Sequence, residues 1–308
     1  MAGRQGVEFV EELIYDSYET VSIKRYRYGM PTPSGANVIA IANCKGGVAK
    51  PTTTVNLGAA LASRGRRVLL IDLDAQQDLC AALRARIPRP GLADVLLSTA
   101  FFDTGNLADA FVTVHGMTVA GGYGIAHAER ELAMNGSWEK ALKRALAPHL
   151  PRFDYVLLDC APSSNCLTTS ALVAARDVIV PIQTEFLAAN QLSSIMSAVD
   201  DVRSRLNSSL KIRGFLPTMY DGRSNHALGV MEHVALQAHM WGVRAFKPIP
   251  RAVRLAEASE AGRPIRDYAE DSPAAEAYDE LAQEIDHRHQ VRASMYSATS
   301  ARAVGTYV

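Results

Sequence analysis

The chain has 308 residues, with 32 lysines and arginines against 32 aspartates and glutamates, and 48% of it is hydrophobic. That composition supplies a sizeable apolar core and excludes a disordered or fibrous chain. The balanced charge excludes a uniformly basic nucleic-acid coat, so any contact with DNA must be regional.

The first residues carry Arg4, Glu8, Glu11 and Glu12 without the apolar run of a signal peptide. The longest apolar stretch, around Ala171 to Ile182, is broken by Arg176 and Asp177. Cys44, Cys80, Cys160 and Cys166 form no CxxC pair, which disfavours a zinc ribbon, an iron–sulfur centre or a disulfide framework. The expectation is a cytoplasmic protein in a reducing compartment, neither exported nor inserted in a membrane.

Residues 1–36 end in Met30-Pro31-Thr32-Pro33-Ser34-Gly35, a linker composition that sets them apart as an extension. Inside it, Lys24-Arg25-Tyr26-Arg27-Tyr28 interleaves basic and aromatic side chains. Such a run suits stacking on nucleic acid, but a short amphipathic strand is the preferred reading. From Asn37 onward, short β-branched runs alternate with helical stretches, which predicts a parallel sheet. Strands are predicted at Val38–Ala42, Arg67–Asp72, Met117–Ala120, Tyr155–Asp159, Asp177–Ile182, Ile212–Met219 and Val243–Pro248, each buried on both sides. Helices are predicted at Thr52–Ser63, Trp138–Leu146, Asn190–Leu206, His226–His239 and Ala274–Ile285. One doubly wound α/β domain over 37–286, its mostly parallel sheet covered by helices on both faces, accounts for this pattern. The tail at 287–308, rich in Ser, Ala and Thr, is expected to be disordered.

Between the first core strand and its helix stands Lys45-Gly46-Gly47-Val48-Ala49-Lys50-Pro51-Thr52-Thr53-Thr54. A strand, a glycine-rich turn and a helix start make an anion cradle. Backbone N–H groups and the positive helix end face phosphates, and a lysine reaches the β and γ oxygens. A glycine-rich turn alone is also an ordinary tight connection. The next strand runs into Asp72-Leu73-Asp74-Ala75-Gln76. Alternation along an extended strand puts Asp72 and Asp74 on one face, at the edge where parallel sheets place their ligands. Phe153 to Cys160 is an apolar strand closing on Asp159, followed by Ala161-Pro162-Ser163-Ser164. Further on come Pro181-Ile182-Gln183-Thr184-Glu185-Phe186-Leu187-Ala188, Thr218-Met219-Tyr220-Asp221 and Ile249-Pro250-Arg251-Ala252-Val253-Arg254-Leu255-Ala256-Glu257-Ala258.

In this order the segments resemble the ParA/MinD family of P-loop ATPases. The loop resembles its deviant Walker A motif, KGGxGKTT, with Ala49 at the last glycine and Pro51 in place of the magnesium-binding threonine or serine. The segment around Asp72 resembles DxDPQ with Ala75 for its proline, and the strand to Asp159 resembles a Walker B strand. The run from Pro181 resembles the PxQxExxA segment that separates ParA-type from MinD-type members. Thr218 and Asp221 match an adenine-contacting TxxD, and residues 249–258 resemble IPRxVRLAEA. The resemblance covers about residues 38 to 286.

It implies ATP and Mg²⁺ as cofactors. Gly46, Gly47, Val48, Ala49, Lys50, Pro51 and Thr52 would surround the phosphates, with Lys45 reaching across a homodimer to the partner's nucleotide. Asp72 and Asp159 would lie near the metal, Asp74 would position the attacking water, and Gln76 would belong to the same switch. Ser163 would lie close to the nucleotide, with Thr218, Asp221 and Pro250 at the base. Pro51, placed at the first helical position, removes a hydroxyl and a backbone N–H, so weakened Mg·ATP binding and slow hydrolysis are expected while the fold survives. Asn56 stands at the family's asparagine, which keeps Pro51 in register as a substitution. Family members dimerise on ATP, coat nonspecific DNA and release it when a ParB-type partner stimulates hydrolysis. Plasmid or chromosome partition on the nucleoid follows. Arg223, Arg251 and Arg254 are the candidate DNA contacts, with Arg263 and Arg266 as further basic residues.

His226, His233 and His239 lie seven and six residues apart, which is not the spacing of a helical metal face. Met196 and Met231 read as core filler. Two alternatives to an active partition switch stay open: a hydrolysis-deficient adaptor that binds nucleotide or DNA, and a ParA-like positioning ATPase for a non-DNA cargo. An ATP-dependent carboxylase or amide ligase of similar fold is the weakest reading.

Overall fold

A computed structural model describes residues 9–16, 20–27, 35–134, 138–162, 165–184, 188–223 and 225–287. Ser163, Glu185 and the tail from 288 lie outside the described residues. Strands β1 (Phe9–Asp16) and β2 (Thr20–Arg27) pair antiparallel as a sheet of their own. Lys24 to Arg27 of the basic and aromatic run thus belong to a strand, and Tyr28 lies outside the described residues.

The other strands form one eight-stranded sheet in the order β10-β9-β8-β3-β7-β4-β6-β5. Its centre is β3 (Asn37–Ile41), β7 (Tyr155–Asp159) and β4 (Val68–Asp72), flanked by β8 (Asp177–Gln183), β9 (Lys211–Thr218) and β6 (Met117–Ala120). All of these pair in parallel. The exception is β5 (Phe111–Val114), which closes one edge by an antiparallel hairpin with β6 and was not among the predicted strands. At the other edge the predicted buried strand Val243–Pro248 shrinks to β10 (Arg244–Ala245), half-exposed. An edge position leaves one side of that run without a partner strand, so only its inner contacts hold it.

Strand residues alternate between two cores. Val38, Ala40, Leu69, Ile71, Val156 and Leu158 enter one, and Ile39, Ile41, Val68, Leu70, Tyr155 and Leu157 the other. A strand apolar on both faces demands a helical layer on each side. The first layer holds α3 (Leu92–Phe102), α4 (Ile125–Ala133), α5 (Ala141–Leu146), α6 (Cys166–Ala174), α7 (Ala188–Arg205) and α8 (Asn225–Met240). The second holds α1 (Lys50–Ser63), α2 (Asp78–Ala82), α9 (Val253–Ala261), α10 (Ile265–Tyr268) and α11 (273–287). The predicted helix Trp138–Leu146 starts as a 3-10 turn, Trp138–Lys140, before α5. The end of α11 is anchored under the sheet, where buried Asp286 accepts bonds from Nε and Nη2 of Arg66 and from the Tyr155 hydroxyl.

Helix α1 starts two residues earlier than the apolar pattern predicts. Its first residue is Lys50, so Pro51 stands at the second helical position rather than the first. That position is equally free of intrahelical donors, because the first four N–H groups of a helix have no partner within it. The residue before the helix, Ala49, has φ 64° and ψ 37°, the left-handed conformation that an L-residue with a Cβ resists. Its departure from glycine is therefore more than one added methyl. Ala49→Gly should stabilise the fold by about 1 kcal/mol, the left-handed penalty less the entropy glycine restores to the unfolded chain. A urea midpoint that is unchanged or lowered in Ala49→Gly contradicts this.

Candidate functional site

The strands β3, β4 and β7 end level with one another. Ile41 pairs with Asp159, and Asp159 pairs with Asp72, so the two carboxylates stand side by side at the C-terminal edge directly beneath the phosphate loop. This is the switch point of the sheet, because the adjacent strands β3 and β7 connect in opposite directions, β3 through α1 to β4 and β7 through α6 to β8. Gly46 and Gly47 are the exposed crest of the loop, and a Cβ on Gly47 would meet nothing within 4 Å. Gly47 also has φ 73°, which glycine tolerates.

The loop is pinned from both sides. Asn43 accepts a bond from the Lys45 N–H at 3.0 Å and donates from Nδ2 to the Pro181 carbonyl of β8 at 2.7 Å. The Thr218 hydroxyl at the end of β9 donates to the Val48 carbonyl at 3.3 Å. Thr184 lies within reach of the Thr218 and Met219 carbonyls. Asn56 accepts from the Ile265 N–H at 2.7 Å and so ties α1 to α10.

Lys50 is buried, and its Nζ donates to the Lys45 carbonyl at 2.9 Å. Burial lowers its pKa, and Asp159 opposes that shift. Burial pushes Asp159 well above the usual carboxylate range, with Asp72 adding to the rise. Asp72 is pushed up to about 6, again chiefly by burial. Asp159 Oδ1 receives the Thr54 hydroxyl at 3.3 Å, while Oδ2 is buried without a hydrogen-bond partner. An orphaned buried carboxylate oxygen beside a phosphate cradle fits a Mg²⁺ ion. Among the described residues no three His, Cys, Asp or Glu side chains gather to hold a metal unaided. Such an ion would draw its other ligands from phosphate and water, as Mg²⁺ commonly does.

The predicted pairing of Asp72 and Asp74 on one strand face does not occur. β4 stops at Asp72, and the chain turns because Asp72 Oδ1 accepts the Asp74 N–H at 3.2 Å and Oδ2 accepts the Cys80 N–H at 3.0 Å. Asp74 in turn accepts the Gln76 N–H, so it sits in the turn, half-buried. Side-chain bonds to following N–H groups compete with strand continuation, and here they win.

Residues 218–221 and 249–251 come together. Tyr220 and Pro250 form a parallel bridge, the Tyr220 N–H donates to Ile249 and the Arg251 N–H to Tyr220. Asp221 accepts from the backbone N–H and guanidinium of Arg223, which holds its carboxyl below the ordinary range. Arg223 and Arg251 are exposed, and Arg254, exposed on α9, pairs with Glu257 at 3.5 Å. Arg266 is taken up by Asp279 and Glu270, and Arg263 by the Asp267 carbonyl. His233 lies on α8 with no metal cluster among the described residues. No described helix is long and apolar enough to cross a membrane. Asn43, Thr54 and Thr184 escaped the sequence reading, because their partners lie far along the chain.

A family model described as an AAA domain matches residues 36–212. The sporulation initiation inhibitor protein Soj of Bacillus subtilis is 39% identical over 252 residues, 80% of this chain and 97% of that protein. The chromosome partitioning protein ParA of Caulobacter vibrioides is 38% identical over 262 residues, 83% of this chain and 96% of that protein. A solved structure described as cobyrinic acid a,c-diamide synthase from Mycobacterium smegmatis, with bound ATP analogue and magnesium, superposes at a TM-score of 0.68. It is 38% identical and covers 80% of this chain and 93% of its own. Glycine loop, strand-end carboxylates and near-full-length relatives agree: the chain belongs to the Soj/ParA family of P-loop ATPases.

Proposed function

We propose that this chain is a DNA-partition switch that binds ATP and Mg²⁺, dimerises on ATP, coats nonspecific DNA and is released when a ParB-type partner stimulates hydrolysis. The observation that carries the reading is Lys50, buried against Asp159 with Asp72 beside that carboxylate, beneath an open glycine loop, in a chain this similar to Soj and ParA. The working unit is residues 37–286, with 1–36 as an extension and 287–308 as a tail, acting in the cytoplasm on the nucleoid.

In this reading Gly46 to Thr52 wrap the phosphates, and Lys50 exchanges the Lys45 carbonyl for phosphate oxygens. Asp159, through Oδ2, and Asp72 would hold the metal, which when bound would supply positive charge to the phosphates. Asp74, held in its turn, orients the attacking water. Lys45 reaches the partner's nucleotide, and Thr218, Asp221 and Pro250 line the base. The bond from Arg223 to Asp221 joins a candidate base contact to a candidate DNA contact. Pro51 withholds a hydroxyl from the metal and an N–H from the phosphates, which slows turnover without disturbing α1.

Pro51→Thr should raise Mg²⁺-dependent ATP turnover about tenfold or more, the worth of one charge-assisted contact, and Lys50→Ala should abolish nucleotide binding. Phosphate release with and without DNA measures the first and calorimetry with ADP the second, and an unchanged rate in Pro51→Thr sinks the role given to Pro51. The Mycobacterium smegmatis neighbour is named as an amide-forming synthase. Turnover that requires a carboxylic acid and an amine donor, and ignores DNA, would move the chain to that chemistry.

A carboxyl pushed up to about 6 at Asp72 holds its proton below that pH, and proton and metal compete for it. Mg²⁺ enhancement of ADP binding should therefore strengthen as pH rises through 6. A flat titration removes Asp72 from the metal.

Arg254→Ala should weaken binding equally across DNA sequences and lower the salt slope by about one unit. Unaltered salt dependence, read by fluorescence anisotropy, takes Arg254 out of the DNA surface.

A further inference from the structure

Although Pro51 offers Asp159 no hydroxyl, the carboxylate has one. Thr54 lies three residues further along α1, on the same helical face, and its Oγ1 is 3.3 Å from Asp159 Oδ1. The same hydroxyl lies 2.9 Å from the Lys50 carbonyl. Thr54 is fully buried, so protein groups alone can satisfy that hydrogen. The partner oxygen of the carboxylate, Oδ2, is buried and unbonded.

We propose that Thr54 is a positioning residue that takes over from the threonine missing at position 51. Its hydroxyl fixes Asp159 through Oδ1 and leaves Oδ2 turned to the metal. The proposal rests on the reading of the loop as a Mg²⁺-nucleotide site. Geometry explains why the duty passes to Thr54 and not to Thr52 or Thr53. Thr53 faces the other way, its hydroxyl 3.4 Å from the Tyr278 hydroxyl on α11. Thr52 is half-exposed, and its carbonyl accepts a bond from Asn56 Nδ2 at 2.8 Å. Thr54 touches both the helix's first residue and the end of β7. A side chain that bridges helix and strand can hold the carboxylate still while the loop adjusts around a ligand. Threonine at 51, on the same face of α1 as Thr54, would offer the carboxylate a second hydroxyl and make Thr54 redundant.

The test is a cycle of four proteins: the chain as it stands, Thr54→Val, Pro51→Thr and the double variant. ADP dissociation constants are measured by calorimetry with and without Mg²⁺, together with thermal midpoints. Thr54→Val keeps the shape and removes the hydroxyl. It should cut the Mg²⁺ enhancement of ADP binding about tenfold in the chain as it stands, and less than about twofold beside Pro51→Thr. Thr54→Ser should preserve the enhancement, and if Thr54→Val fails to fold, Thr54→Ala read against Thr54→Ser makes the same comparison. Equal losses in both backgrounds would reduce Thr54 to helix packing and overturn the proposal. So would a Mg²⁺ enhancement present only with Pro51→Thr. ADP binding by none of the proteins, Pro51→Thr included, would overturn the nucleotide reading itself, and this proposal with it.

Discussion

A buried lysine and two buried carboxylates cannot share the end of a sheet without answering one another's charge. Lys50, Asp159 and Asp72 are each buried, and burial drives each toward its neutral form. Lys50 and Asp159 pull the other way on each other, whereas Asp72 and Asp159 repel. One ammonium against two carboxylates leaves the place short of positive charge whenever both acids ionise. The loop above offers backbone dipoles that favour anions, so the site has opposite demands a few ångströms apart. A magnesium ion carried by a polyphosphate answers both, which is why the arrangement suits a metal–nucleotide complex better than either component alone.

The surrounding framework keeps that conflict in place. Asn43 and Thr218 hold the loop to β8 and β9, Asn56 holds α1 to α10, and Asp286 holds α11 under the strands. Each is a polar bond between segments distant in the chain, and buried polar networks of this kind resist small shifts because every lost partner is costly. The bridge between Tyr220 and Pro250 brings the surface that carries Arg223 and Arg251 to the same edge.

Much of this was legible before any coordinates. β3, β4 and β7 were readable because a strand buried on both faces is apolar throughout, and β6 and β7 agree with their predicted limits. The phosphate loop was readable because its glycines and lysines are local. β5 was hidden because Phe111 to Val114 is half-exposed at an edge and short. Asp74 was misplaced because spacing says which residues would share a face, not where a strand stops, and the stop is made by a side chain bonding its own backbone. Ala49 looked mild because a sequence shows a methyl and not the left-handed φ on which it sits. Asn43 and Thr54 make their bonds across 138 and 105 residues, and nothing in a linear pattern signals such a partner.

The two departures in the loop act on different quantities. Ala49 strains the backbone of the folded chain whether or not a ligand is present, so its effect belongs to stability. Pro51 falls where the helix itself needs no donor, and its fixed φ matches the helix it enters, so the fold has no complaint against it. The missing N–H and hydroxyl matter only once a phosphate and its metal arrive. A chain 38–39% identical to Soj and ParA can therefore keep the whole α/β framework, and the effect proposed for Pro51 falls on ligand binding and not on folding. Any compensation for Pro51 must come from groups that the motif does not include. The hydroxyl of Thr54 is the one that already touches the carboxylate at the end of β7.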